Sequence, residues 1–132
     1  MDAGRIKWMV ARASGGPPGY TLPMSFAPIQ KQVDDYIAQF EEGYFPPLEM
    51  LARLTEELGE LARALSHHTG FKKPKSTDVP GDIPDELCDV IFVAVCLANS
   101  MKIDLDTAFA ATMNKLYVRD ANRWTRKQPT QS

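Results

Sequence analysis

The sequence predicts an all-α fold, a bundle of four main helices that assembles into a homo-oligomer. Three observations carry this expectation. Apolar residues recur at helical spacing in four separate stretches, each bracketed by proline, glycine or aspartate at the positions where helices start and stop. No stretch shows the apolar–polar alternation of a strand. Two of the helices also carry more apolar surface than four short helices can cover among themselves.

The chain of 132 residues is one domain by length. Residues 1–24 read as a tail, because Gly15-Gly16-Pro17-Pro18-Gly19 breaks any regular element and no periodicity precedes it. The helical domain is expected over residues 25–127, with 128–132 as a short C-terminal tail. The first helix is expected from about Pro28 to Glu42, with Ser25 and Pro28 as start signals and Ile29, Val33, Ile37 and Phe40 along one stripe. Gly43 is a natural stop. Glu41 and Glu42 would then sit at the negative end of the helix dipole, an unfavourable placement.

The second helix opens at Pro46-Pro47, since proline is tolerated in a first turn. Leu51, Leu54, Leu58, Leu61 and Leu65 form a narrow packing seam before Gly70 ends the run. Phe71 to Pro84, with Lys72, Lys73, Lys75 and three prolines, is a loop. The third helix starts near Ile83-Pro84-Asp85 and runs to about Met101. Asp104 announces the fourth as its N-cap, and Leu105, Phe109, Thr112 and Leu116 make its stripe.

Composition narrows the function classes. Hydrophobic residues at 44% and charged residues at 24% are ordinary for a soluble protein. A net charge of -2 argues against a nucleic-acid binder that works by neutralising many phosphates. The most apolar stretch, Val90 to Ala98, is about half the length needed to cross a bilayer, so no membrane span is expected. The patch Trp8 to Val10 is too short for a secretory signal. Cys88 and Cys96, eight residues apart on one helix, are separated by about 12 Å of rise and cannot pair. Free thiols suit a reducing compartment, so a cytoplasmic location is expected.

The second helix contains Glu56-Glu57-Leu58-Gly59-Glu60, three carboxylates within an arc of roughly 100° lying away from the leucine seam. Alone, such a cluster reads as a solvated acidic face. The third helix alters that balance. From Glu86 to Ala98 its polar side chains are Glu86 and Asp89, three apart on one face of a helix that is apolar on every side. They are therefore expected to lie along an interior wall. Buried carboxylates must be protonated, paired or metal-bound, and the second helix offers them further carboxylates rather than a matching set of cations. A divalent cation resolves the conflict, and oxygen-only ligands favour Mg²⁺ or Mn²⁺ over Zn²⁺.

The pattern Glu56-Glu57-x-x-Glu60, then 25 residues, then Glu86-x-x-Asp89, resembles the signature of the MazG-like all-α nucleoside triphosphate pyrophosphohydrolases. The resemblance covers roughly Phe26 to Lys127. It implies a magnesium-dependent hydrolase that attacks the α-phosphate of a (deoxy)nucleoside triphosphate with a metal-activated water, releasing monophosphate and pyrophosphate, with nucleotide-pool cleansing as a role. It implies Glu57, Glu60, Glu86 and Asp89 as metal ligands, and Glu56 as a further ligand through water or as the residue that orients the nucleophile. It also implies a homodimer or homotetramer. Phosphoryl transfer needs positioning and charge stabilisation, so no side-chain nucleophile is required.

The cationic half of a triphosphate site is expected on the fourth helix, where Asn114, Lys115 and Arg119 resemble the family's phosphate-contacting segment. A solvated basic flank is the alternative reading of these three. Arg123, Arg126 and the loop lysines read as surface charges, and His67-His68 as complements of a helix C-terminus. Phe40, Tyr44 and Phe45 read as packing residues rather than base-stacking ones, so the nucleobase site is unknown. The rival function is a non-catalytic helical oligomerisation module, which would leave Glu86 and Asp89 unexplained. A di-iron bundle is disfavoured, because neither Glu60 nor Glu86 is followed by His three residues on.

Overall fold

Proline and glycine set most of the boundaries in the computed structural model, which describes residues 25–77 and 81–127. The helices are α1 (Ala27–Ile37), α2 (Pro47–His68), α3 (Ile83–Ser100) and α4 (Leu105–Arg119). Among the described residues there is no strand. Prolines stand in the first turns of α1, α2 and α3, where a missing N–H costs nothing. Asp104 caps α4 as expected: its Oδ1 accepts from the Asp106 N–H at 3.0 Å and its Oδ2 from the Thr107 hydroxyl at 2.6 Å. The tails expected over residues 1–24 and 128–132 lie outside the described residues.

The first helix is shorter than its pattern. It ends at Ile37, and residues 38–42 wind through turns to Gly43, whose φ of +61° favours glycine. Glu41 and Glu42 are therefore off the helix, and the expected conflict with its dipole does not arise. At the far end of α3 a Schellman pair of bonds closes the helix, from Ile103 N–H to the Ala98 oxygen at 2.9 Å and from Lys102 N–H to the Asn99 oxygen at 3.0 Å. Lys102 takes the left-handed position, at φ +58°.

Residues 25–108 fall in one compact unit and residues 109–127 in a second. In the first, α1 and α2 both pack on α3. Val33 of α1, Met50 of α2 and Val95 and Cys96 of α3 form the buried core, with Ile37, Tyr44, Leu97 and Leu105 against it. Both thiols are free, Cys96 inside and Cys88 exposed.

Two packing expectations are corrected. The leucine seam of α2 is only partly its packed face: Met50 and Ala64 are the buried residues and Leu54 and Leu61 are half-buried beside them, while Leu51, Leu58 and Leu65 are 49, 55 and 42% exposed. At 100° per residue, Glu57 falls close to the line joining Met50 and Ala64, so the face that meets α3 carries a carboxylate and the leucines flank it. Likewise α3 is buried only in its C-terminal half. Val93, Val95, Cys96, Ala98 and Asn99 are inside, whereas Leu87 and Ile91 are each 47% exposed. Hydrophobicity all round a helix requires cover along its whole length, and within this unit full burial is reached only from Val93 onward.

Candidate metal and nucleotide site

Glu57 and Glu60 lie three residues apart on α2, and Glu86 stands in the first turn of α3. These three carboxylates each offer an oxygen, and the oxygens lie within 4.8 Å of one another. Two of the groups have raised carboxyls. Desolvation raises the Glu57 carboxyl above its ordinary value, and the charges of Asp89, Glu60 and Glu56 raise it further, against relief from Arg53. Desolvation again leads at Glu86, followed by Glu60, Asp89 and Glu57, with relief from Arg63.

Asp89 thus belongs to the same electrostatic cluster, one turn along α3 from Glu86. Neither α3 carboxylate occupies the interior wall expected for it. Asp89 is exposed and Glu86 only half-buried, although both share a face of α3 with Val93 and Cys96, because full burial on this helix begins only at Val93. Glu56 is exposed and turned about 100° around α2 from Glu57. Glu86 packs its side chain over Gly81, where an added Cβ would lie 3.0 Å from Glu86 Cδ and overlap the carboxylate itself. Glycine at 81 leaves room for that carboxylate to sit where it does.

Beside the cluster, a cavity of about 330 Å³ opens between α2, α3 and the connection that leads into α2. Glu57 and Asp89 form one end, Tyr44, Phe45 and Phe92 are its aromatic walls, and Met50, Val93 and Cys96 contribute apolar lining. Phe92 is steadied edge-to-face by Tyr36 at 6.0 Å. Tyr44 and Phe45, read from sequence as packing residues, therefore line a cavity; Phe40 meets Tyr36 instead, at 5.3 Å. Tyr44 is held from behind: its hydroxyl donates to Asp34 Oδ1 and accepts from Asn99 Nδ2 at 3.0 Å.

Sequence reasoning missed Arg53, which lines the same cavity with its guanidinium carbon 5.6 Å from the centre of the Phe45 ring. A signal was available, since Arg53 is four residues before Glu57 and so shares its face. The expected phosphate residues Asn114, Lys115 and Arg119 lie exposed on α4, in the unit formed by residues 109–127. Arg119 is already engaged there, donating to both oxygens of Asp120 at 3.0 and 2.9 Å, with Arg123 3.6 Å from the same carboxylate. Lys72, Lys73 and Lys75 are exposed in their loop. His67 and His68 do occupy the last turn of α2, and both His67 ring nitrogens are buried without a hydrogen-bond partner among the described residues.

Comparison with known proteins places these features in context. The model of the MazG nucleotide pyrophosphohydrolase domain matches residues 45–124. The Bacillus subtilis (strain 168) protein YpjD is 55% identical over 100 residues, covering 76% of this chain and 90% of that protein. A crystal structure of Bacillus subtilis YPJD, a proposed pyrophosphatase, superposes with a TM-score of 0.62 at 50% identity, over 72% of this chain and 97% of the other. The crystal structure of a MazG protein conserved in Bacillus, described as a nucleotide pyrophosphohydrolase, superposes with a TM-score of 0.60 at 45% identity, over 82% and 98%.

Proposed function

The chain belongs to the MazG nucleotide pyrophosphohydrolase family, and from that premise we propose that it hydrolyses a (deoxy)nucleoside triphosphate to its monophosphate and pyrophosphate with Mg²⁺, for which Mn²⁺ can substitute. The observation that carries this reading is the meeting of Glu57, Glu60 and Glu86 oxygens within 4.8 Å across two helices. Like charges held this close repel unless a cation joins them, and they add to the desolvation that leads in raising the Glu57 and Glu86 carboxyls. An all-oxygen set fits a hard divalent cation.

In this reading Glu57, Glu60, Glu86 and Asp89 hold the ion. When bound, it supplies positive charge against the phosphates and acidifies water. The chain's own residues do the rest. The rigid pairing of α2 with α3 fixes the spacing of the carboxylates, so little reorganisation accompanies reaction. Glu56, exposed beside Glu57, orients the attacking water at the α-phosphate and accepts its proton on a carboxylate oxygen. The aromatic cavity beyond Glu57 and Asp89 takes the nucleoside, and its apolar walls keep bulk water from that side of the phosphate. A role in clearing altered nucleotides from the pool, in the cytoplasm, accords with this chemistry and with the two free thiols.

The half-exposed leucines of α2 and α3 favour a homodimer or homotetramer whose partner helices cover them. Among the described residues no helix is long and apolar enough to cross a membrane. The proposed activity is tested by incubating the protein with each common triphosphate and Mg²⁺ and measuring pyrophosphate. Release that stops on chelation and returns with Mg²⁺ or Mn²⁺ supports it. Inertness towards every triphosphate, with melting temperature indifferent to either ion, favours a non-catalytic helical module instead.

A further inference from the structure

We propose that Arg53 is a specificity-determining residue of the aromatic cavity, selecting nucleobases that present a ring carbonyl oxygen over adenine, which has none. The inference rests on the nucleotide reading above. Its geometry starts from the order of groups along α2. Glu60 and Glu57 mark the ion, and Arg53 lies four residues before Glu57 and seven before Glu60, a rise of about 6 and 10 Å. A nucleotide with its α-phosphate at the carboxylates therefore enters the cavity with its base at the level of Arg53 and Phe45.

The chemistry of the cavity side chains then singles out one readout group. The Tyr44 hydroxyl is spent on Asp34 and Asn99. Glu57 and Asp89 belong to the ion. Phe45, Phe92, Met50 and Val93 offer surface for stacking and no hydrogen bonds. Arg53 alone keeps strong, directional donors: among the described residues its guanidinium makes no hydrogen bond and no ion pair, and it rests over the Phe45 ring at 5.6 Å. Held 5.6 Å from the Phe45 centroid, with its charge felt at Glu57 but no hydrogen bond formed, the guanidinium keeps its N–H donors free. Phe45 also limits where those donors lie, which a lone lysine on a flexible stem would not achieve. A planar fork of donors pairs with carbonyl oxygens, as in guanine, uracil or thymine, and is mismatched to the amino group of adenine.

The test compares wild type with Arg53→Met and Arg53→Lys, using kcat/KM for dUTP, dGTP and dATP with Mg²⁺. It adds equilibrium binding of dUMP, dGMP, dAMP and inorganic pyrophosphate by calorimetry. We expect wild type to prefer dUTP and dGTP to dATP by at least about tenfold, the scale of one well-placed arginine pair. Both variants should lose that preference, mainly through KM, with the monophosphates following the same order and pyrophosphate binding unmoved. The inference is overturned if wild type shows no such preference, or if the preference survives in both variants. A uniform loss across all three triphosphates, with weakened pyrophosphate binding, would overturn it too by making Arg53 a phosphate contact. Failure of wild type to release pyrophosphate from any triphosphate would sink the functional reading instead, and the monophosphate series would still report on Arg53.

Discussion

Gln30 and Asn99 clasp one another across α1 and α3: the Asn99 amide donates to the Gln30 backbone oxygen at 2.8 Å, and the Gln30 amide donates to Asn99 Oδ1 at 2.8 Å. Asn99 is the buried polar residue of the core, and its bonds satisfy it. The network runs on through Gln30 Oε1 to the Leu105 N–H at 3.1 Å, which seats the start of α4, and through Asn99 Nδ2 to Tyr44 on the cavity wall. Replacing Asn99 by Ala would strand several of these groups, at about 1–3 kcal/mol for each one left buried.

The Tyr44 end of this network gives a pH prediction. Burial first, and then the hydrogen bond to Asp34, push its phenol from 10.0 up to about 12. The folded state thus keeps the proton more tightly than the unfolded one. Stability from this group is full below pH 10 and is lost as pH rises from 10 through about 12. In an absorbance titration of the phenolate band, one of the four tyrosines should ionise late, and Tyr44→Phe should remove that late phase. A titration above pH 10 that Tyr44→Phe leaves unchanged would contradict the burial of this hydroxyl.

Removing charge from the carboxylate cluster should separate activity from stability. Glu86→Gln and Asp89→Asn preserve shape while each deletes one like charge from a cluster whose members raise one another's carboxyls. Turnover should fall at least about tenfold, the scale of 1.4 kcal/mol in the barrier. Melting in the presence of chelator should stay the same or rise, and the stabilisation that Mg²⁺ gives wild type should shrink. Wild-type turnover in either variant would contradict the ligand assignment.

The exposed leucines make a prediction about assembly. Leu51, Leu58 and Leu65 stand at seven-residue intervals on α2, and Leu87 and Ile91 at four on α3, each more than 40% exposed. Light scattering at micromolar concentration should find a dimer or tetramer, and Leu58→Glu should shift it towards smaller species. A stable, active species at 14.7 kDa would mean that these residues need no partner.

Much of the fold was legible because its punctuation is local. Pro46-Pro47, Gly70, Ile83-Pro84 and Asp104 each act on the adjacent backbone, and α2, α3 and α4 start where those residues direct. The end of α1 was not legible. Phe40 keeps the helical spacing while the backbone has already turned after Ile37, so a side-chain pattern outlasts the hydrogen bonds. Of the motif carboxylates, Glu57, Glu60 and Glu86 bring their oxygens within 4.8 Å of one another across two helices. Their setting was not legible, because apolar stripes were taken to face inward. On α2 the inward face mixes Met50, Ala64 and Glu57, and Leu51, Leu58 and Leu65 look outward, which a rule based on hydrophobicity alone cannot anticipate. Asn99 and Tyr44 left no sequence signal at all, since their partnership spans 55 residues.

The central claim is that water attacks the α-phosphate of a nucleoside triphosphate at the Glu57–Glu60–Glu86–Asp89 cluster. Hydrolysis in ¹⁸O-labelled water with Mg²⁺, followed by mass analysis of the products, tests it most directly. The account predicts one labelled oxygen in the nucleoside monophosphate and unlabelled pyrophosphate, with no turnover in Glu86→Gln. Label in the pyrophosphate would place attack at the β-phosphate, and formation of diphosphate with labelled orthophosphate would place it at the γ-phosphate; either result would contradict the account.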